Sequence, residues 1–487
     1  NITNRWVMTE NLRLGSKIRN LRRRESLTQA QLAERLGISS SYVNLIENNR
    51  RPLSAQLLIK IAQAFQVDLQ SFASDESDRM VSDLMEAFGD PLFDSYELGA
   101  ADVRELAGSS TIAARAVLGL YKAYRSSQES AESLAGHLDS SSLKTLSPGQ
   151  LPTEEVSDLI QDHSNYFPEL EDNAETIRRE ANLDDEDLFQ GLVNYLKDSH
   201  GIRVRIEKMG SMEGAMRRYD PEKRILYLSE LLRRGSRNFQ LAHQVGLVTQ
   251  TPTINKISKS HGLTAPGSKK LCRVVLANYF ASAILMPYDE ILSAARAERY
   301  DIELLGHRFR CSVEQVCHRL TSLRRPGHEG IPFHLIRVDI AGNISKRFSA
   351  SGIRFARFSA ACPRWNVHAA FLTPGTIRTQ ISQYPNGKHY LSIARTLRKD
   401  TGGYRSSQPM QAVEIGCDIR HARELIYADG LNLETLESAV DVGVTCRLCE
   451  RIDCEQRAFP PLQHPLSVDE NVRGISFYAP VHSGSKA

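Results

Sequence analysis

The stretch GSKIRNLRRRESLTQAQLAERLGISSSYVNLIENNRRPLSAQLLIKIAQAF, Gly15 to Phe65, decides how the front of the chain folds. Its apolar residues Ile18, Leu21, Leu32, Ala33, Leu36, Val43, Ile46, Leu57, Leu58, Ile61 and Phe65 recur at helical steps, so several short helices share one core. Thr28 is placed to cap a helix over 29–36, Gly37 permits the turn, and Ser39 or Ser40 caps a second helix running to about Asn48. Removing the core positions leaves Ser40, Ser41, Tyr42 and Asn44 on that second helix, where short polar side chains reach base edges in a major groove. Gln29, Arg50 and Arg51 are placed for phosphates, contacts that position a protein without specifying sequence. The expected partner is double-stranded DNA carrying an operator.

The phrases LTQAQLAERLGIS and SYVNLIENNRRPLS resemble the Cro/CI or xenobiotic-response-element helix-turn-helix family. Charge agrees with that placement. The chain is nearly balanced at +3, yet residues 1–73 hold 11 Lys/Arg against 5 Asp/Glu, so the basic excess lies where DNA would bind. No run of about 18 apolar residues and no secretory leader is legible, which predicts no membrane partner and a cytoplasmic protein. Eight cysteines in such a chain point to thiols or a metal centre, not to a disulfide framework.

At 487 residues the expected fold is multidomain, mainly α with α+β. Residues 1–12 read as a tag-like lead, with Met8 as the natural start, and 13–73 as the DNA-binding bundle. A helical connector and linker span 74–150; helical patterning fades after about Tyr124 into RSSQESAESLAGHLDSSSLKTLSPGQLPTE (125–154), a candidate loop. Residues 151–329 mix helices with strand-like IRVRIEK (202–208) and RILYLS (224–229). From 330 to 475 the pattern turns to β, with hairpins expected about AGN (341–343) and Asn386-Gly387, a strand over 411–419 and a helix over 420–430; 476–487 is a tail.

Two phrases carry chemistry or its absence. RNFQLAHQVGLV sits on a predicted helix where zinc peptidases carry His-Glu-x-x-His, two ligands one turn apart and a glutamate base. Here His243 is followed by Gln244, which takes no proton from water, and by Leu247, which binds no metal. RVVLANYFASAILMP (273–287) is similar to the third-ligand helix of ImmA/IrrE-type metallopeptidases, with Leu276 where an acid belongs. The domain therefore resembles a peptidase fold without its catalytic groups, and no enzyme is expected. The second phrase, GVTCRLCERIDCEQRAFPPL, spaces Cys446, Cys449 and Cys454 as C-x2-C-x4-C. Three thiolates so close converge on one metal centre; an iron–sulfur cluster is favoured over zinc because no second C-x-x-C supplies a paired knuckle, and three free thiols remain the alternative. Cys362 and Cys417 are candidates for a fourth ligand, though packing is the ordinary role of such cysteines, and Cys272, Cys311 and Cys317 read as structural.

The order of helix-turn-helix, helical connector, degenerate FQLAHQ domain, ACPRWNVHAAF and CRLCERIDC resembles the bacterial short-chain fatty acyl-CoA regulators, relatives of actinobacterial factors controlling propionate, methylcitrate and glyoxylate metabolism. The resemblance runs from about residue 14 to about 475. It implies a transcription factor that binds DNA as a homodimer or homotetramer, senses a short-chain acyl-CoA such as propionyl- or acetyl-CoA, and holds a four-iron, four-sulfur cluster on Cys446, Cys449 and Cys454. Arg364 and Trp365 are the candidate CoA contacts, Arg for a phosphate and Trp for stacking on adenine; a buried core Trp is the competing reading. A phage-type repressor under protein control and a metallopeptidase regulator are the functional alternatives.

Overall fold

The computed structural model describes residues 18–19, 21–22, 25, 27–47, 50–51, 53–65, 76–96, 98–136, 152–184, 186–263, 266–356, 361–398, 408–447, 449–460 and 475–476. The expected lead 1–12 and the tail beyond Ser476 lie outside the described residues. Contacts divide the chain into two units, Asn1–Gly119 and Leu120–Ala487.

In the first unit, Ile18, Leu32, Leu36, Val43, Ile46, Ile61 and Phe65 form one buried cluster, the periodic residues of the opening stretch. It gathers α1 (Gln29–Leu36), α2 (Ser40–Glu47) and α3 (Ala55–Ala64). Then come α4 (Glu76–Phe88), a 3-10 turn at Pro91–Tyr96, α5 (Ala100–Ser109) and α6 (Thr111–Gly136), the helix in which the division at Gly119 falls. The last helix runs on into the stretch expected as a loop. Its Gln, Glu, Ala and Leu are good helix formers, and the Ser-rich composition on which the loop was expected did not outweigh them.

The second unit begins with α7 (Pro152–Asp162), α8 (Pro168–Glu180) and α9 (Leu188–His200). A three-stranded sheet follows, ordered β1-β3-β2, in which β1 (Arg203–Glu207) runs parallel to β3 (Ile225–Ser229) and β2 (Arg217–Asp220) antiparallel to it at the edge. The sheet precedes α10 (Arg234–Thr249), α11 (Thr251–Ser260), α12 (Pro266–Leu285), α13 (Tyr288–Ala297), α14 (Ile302–Arg308) and α15 (Val313–Thr321). Buried Arg319 on α15 grips Glu171 on α8 with two nitrogens, at 2.6 and 2.9 Å, and Tyr279 on α12 donates to the same carboxylate at 2.5 Å. A buried charge pair held by three elements fixes their register, since losing either partner strands the other. Among the described residues no single helix is long and apolar enough to cross a membrane.

A six-stranded sheet ends the unit, ordered β5-β4-β8-β7-β6-β9, with β4 (His334–Asp339), β5 (Ile344–Ser349), β6 (Arg378–Gln383), β7 (His389–Arg398), β8 (Met410–Asp418) and β9 (Val440–Asp441). Both expected hairpins form, β4 with β5 and β6 with β7 about a turn at Gly387, whose φ is +78°. Pleating splits the sheet residues between two faces. Leu335, Ile393, Val413, Ile415 and Cys417 join the helical core, which runs from Val156 to Leu425 across the division expected at 329/330. Ile336, Val338, Tyr390, Ala394 and Ala412 face a second cluster around Trp365. The helix expected over 420–430 is instead two 3-10 turns, Ile419–Glu424 and Ile426–Ala428, before Gly430 at φ +81°. Asp418 accepts from the Arg420 N–H at 2.9 Å and caps the first 3-10 turn directly after β8, and that turn ends at Leu425, whose backbone is extended at φ −98° and ψ 138°.

Candidate functional site

The helix face expected to meet DNA is built by two caps and a glycine. Thr28 Oγ1 accepts from the Gln31 N–H at 3.2 Å while Gln31 Oε1 accepts from the Thr28 N–H at 2.8 Å, a reciprocal cap that starts α1. Gly37 at φ +68° ends it, and Ser39 Oγ accepts from the Tyr42 N–H at 3.2 Å, so Ser39 and not Ser40 caps α2. Ser40, Ser41 and Asn44 are all exposed, with Ser41 Oγ 3.0 Å from Ser39 Oγ. The inner face of α2 buries Val43, Ile46 and Glu47.

Glu47 is the residue that sequence reasoning missed. Its carboxylate receives Arg22 Nε at 2.6 Å and Nη2 at 3.0 Å, with Arg19 Nε at 3.7 Å. Burial pushes this carboxyl up, but the hydrogen bonds from Arg22 and Gln29 and the arginine charges outweigh it and hold the group below its ordinary range. Gln29 Nε2 donates to Glu47 at 2.8 Å, so the amide expected on a phosphate also clamps α1 against α2. Arg50 and Arg51 are exposed, and the Arg51 guanidinium lies 5.5 Å from the half-buried Tyr42 ring. A polar helix face flanked by cations at the rim matches what major-groove docking needs.

The cysteine segment packs against the Trp365 face of the large sheet. Trp365 Nε1 donates to Gly443 O at 2.9 Å and its ring stands 5.2 Å from Phe355, so the side chain is core and its proposed stacking on adenine is corrected. Arg364 is half-buried beside it. The neighbouring Cys362 N–H donates to Val444 O at 3.0 Å, which ties the ACPRW turn to the residues just before Cys446. Burial pushes the Cys362 thiol up to about 11, and the nearby Cys446 and Cys449 add to the effect. Cys417 lies on the helical-core face, with Asp418 and Glu424 as its charged neighbours. The thiols of Cys272, Cys311 and Cys317 are pushed up by burial, to about 11, 12 and 12.

Buried Arg457 organises the motif. Its guanidinium donates to the carbonyls of Cys449 at 2.7 Å, Arg451 at 2.5 Å and Phe459 at 3.3 Å, and to that of Cys446, while its Nε is buried without a partner. Ala458 N–H points at Cys446 Sγ, 3.5 Å away. A Cβ on Gly443 would stand 2.9 Å from Cys449 Sγ, so only glycine admits that thiol. Among the described residues no three His, Cys, Asp or Glu side chains converge to hold a single metal ion. An iron–sulfur cage spreads its thiolates over separate irons and does not require that convergence.

Residues 18–72 match the helix-turn-helix family model, 197–321 the IrrE N-terminal-like domain, and 322–478 the short-chain fatty acyl coenzyme A regulator C-terminal model. Over 474 residues the chain is 39% identical to the propionyl-CoA carboxylase regulator of Cereibacter sphaeroides, covering 97% of this chain and 99% of that one. The chain belongs to the short-chain fatty acyl-CoA regulator family. This regulator is also 38% identical over 459 residues to the HTH-type transcriptional regulator PrpR of Mycobacterium tuberculosis, covering 94% of this chain and 93% of PrpR. A solved Mycobacterium tuberculosis transcriptional regulator superposes with a TM-score of 0.65 at 40% identity, covering 68% of this chain and all of that one. Like these relatives, the regulator is a helix-turn-helix transcription factor.

Proposed function

We propose that this regulator binds operators of short-chain fatty acid metabolism as a homodimer in the cytoplasm and responds to a short-chain acyl-CoA. The observation that carries the reading is its likeness, along nearly its whole length, to regulators of propionyl-CoA metabolism, joined to an exposed Ser40, Ser41 and Asn44 face. Two copies must set their α2 helices into half-sites about 34 Å apart. A modest domain shift on effector binding would change that spacing and with it the affinity. The Gln244 and Leu247 positions leave no general base and no second ligand, which supports regulation without hydrolysis.

In this reading Cys446, Cys449 and Cys454 hold a four-iron, four-sulfur cluster, with Cys362 as the fourth thiolate. When bound, the cluster supplies a redox-sensitive centre in the sensor half. The chain's own contribution is to keep the sulfurs placed and their charge offset: Gly443 leaves space, Arg457 ties four carbonyls and brings positive charge, and Arg451 is ion-paired to Asp441 at 2.6 Å. Purified anaerobically, the protein should show broad visible absorbance with about four irons per chain. Cys362→Ser should lower iron content and leave DNA binding by the front unit intact. Stoichiometric zinc without visible absorbance would overturn the cluster. In gel-shift titrations propionyl-CoA should alter operator affinity where free CoA does not; no response to either removes the effector.

A further inference from the structure

The relict peptidase centre contains an arrangement that DNA binding, the cluster and the thioester do not use. His243 and Gln244 on α10 are both almost wholly buried. The helix lies tightly on α12, since a Cβ on Gly246 would come within 2.9 Å of the Phe280 ring. Asn278, one turn before α12 reaches Ser282, hydrogen-bonds through its side chain to His243. Leu247 and Leu276 occupy the positions where a metal peptidase has ligands, and both belong to the apolar core.

Into this space the edge strand β2 sends Arg217. Its guanidinium donates to Gln244 Oε1, a neutral partner. Burial is the cause that lowers its pKa, and among the described residues no carboxylate pairs with it. A part-buried guanidinium answered only by an amide is an uncompensated charge, costly unless an anion joins it. His243 supplies the second observation: its side chain is 3% exposed and its Nδ1 is buried without a partner. Burial and the adjacent Arg217 charge hold that imidazole neutral, with a pKa of about 4, so it has one N–H to donate and one nitrogen to accept.

We propose that the His243, Arg217 and Asn278 cluster binds a small carboxylate, with Arg217 as its counter-charge. Geometry and charge select that class. A planar carboxylate accepts both arms of a guanidinium, and one guanidinium balances one negative charge, whereas a phosphate dianion would leave a second buried charge unanswered. Leu247 and Leu276 offer an alkyl chain apolar contact where a metal would have needed polar ligands. The carboxylate comes either from a free short-chain acid or from the C-terminus of a peptide laid along the open edge of β2.

Titration calorimetry on the full-length regulator tests this with sodium propionate, trialanine and inorganic phosphate, each alone. Saturable one-per-chain binding of propionate or of trialanine is the expected result, and whichever binds identifies the source. Arg217→Met should weaken that binding by about ten- to a hundredfold, the loss of one charge-assisted pair. His243→Phe, which keeps the ring volume, gives the same readout if Arg217→Met fails to fold. Absence of binding by both carboxylates, phosphate binding as tightly as they do, or affinity unchanged in the folded variant overturns the proposal. Operator binding and visible absorbance are measured on the same samples, so failure here is separable from failure of the regulatory reading.

Discussion

Glu414 shows how a single side chain can be set by the face of a strand. On β8, Val413 and Ile415 point into the helical core, which turns Glu414 toward the Trp365 cluster, where it accepts the Val367 N–H at 2.7 Å. Burial pushes its carboxyl up to about 8, from an ordinary value of 4.5. Between those values the unfolded chain has lost the proton and the folded chain keeps it, so stability is greatest below pH 4.5 and declines as pH rises toward 8. Glu414→Gln keeps an acceptor for Val367 and removes the titration. Urea unfolding at pH 5, 6.5 and 8 should show the variant gaining about 1–3 kcal/mol over the parent between the first and last pH. Parallel curves for the two proteins would mean that Glu414 is ionised in the fold. Nothing in QAVEIGCDI marks the glutamate as buried; alternation assigns it to a face, but which face is covered depends on the ACPRW turn far off in sequence.

At the scale of elements, the proposed operator face divides between α2, expected to specify sequence, and the Arg50-Arg51 pair beyond its end, expected to anchor on phosphates. Ser41→Ala with Asn44→Ala should cost about 1–3 kcal/mol per lost base contact on the operator and little on random duplex, with the salt slope unchanged. Arg50→Ala with Arg51→Ala should weaken both duplexes alike and reduce the slope of log affinity against log salt by about 1 per arginine. Fluorescence anisotropy across a salt series separates the two, and equal losses on both duplexes from the first pair would show that those side chains do not read bases. These elements were legible because their determinants are local: Thr28 with Gln31, Gly37, and Asn386-Gly387 between alternating runs. The helix misplaced over 420–430 failed for the opposite reason: the segment is interrupted at Leu425, whose extended backbone and burial in the helical core come from residues far off in sequence. The bond from Gln29 to Glu47 was not legible likewise, because the partner is 18 residues away.

For the whole molecule, the connector bears on assembly. Along α6 the side chains of Ile112, Ala116, Leu120 and Tyr124 succeed one another at four-residue steps and are all exposed, Ile112 at 84% and Leu120 at 74%. Four-residue ridges of this kind pack against a matching ridge on another helix. In the dimer proposed above, this stripe is the surface offered to the second copy. Ile112→Asp with Leu120→Asp should shift the protein toward monomer in sedimentation and weaken operator binding without altering visible absorbance. Unchanged sedimentation would move the dimer contact elsewhere.

The sequence by itself determined the DNA-binding bundle, the two hairpins, the loss of the peptidase groups and the cysteine spacing. Each of these is written in residues within a few positions of one another, where caps, turns and periodicity act. Only the tertiary structure decided that Cys362 stands beside Cys446 and Cys449, that Trp365 is core, that Arg217 from an edge strand reaches Gln244 beside His243, and that one hydrophobic core crosses from the helical half into the large sheet. The physical reason is that burial and charge compensation depend on which segments meet in space. A buried cation or thiol acquires its chemistry from neighbours tens to hundreds of residues away, and no local pattern records them.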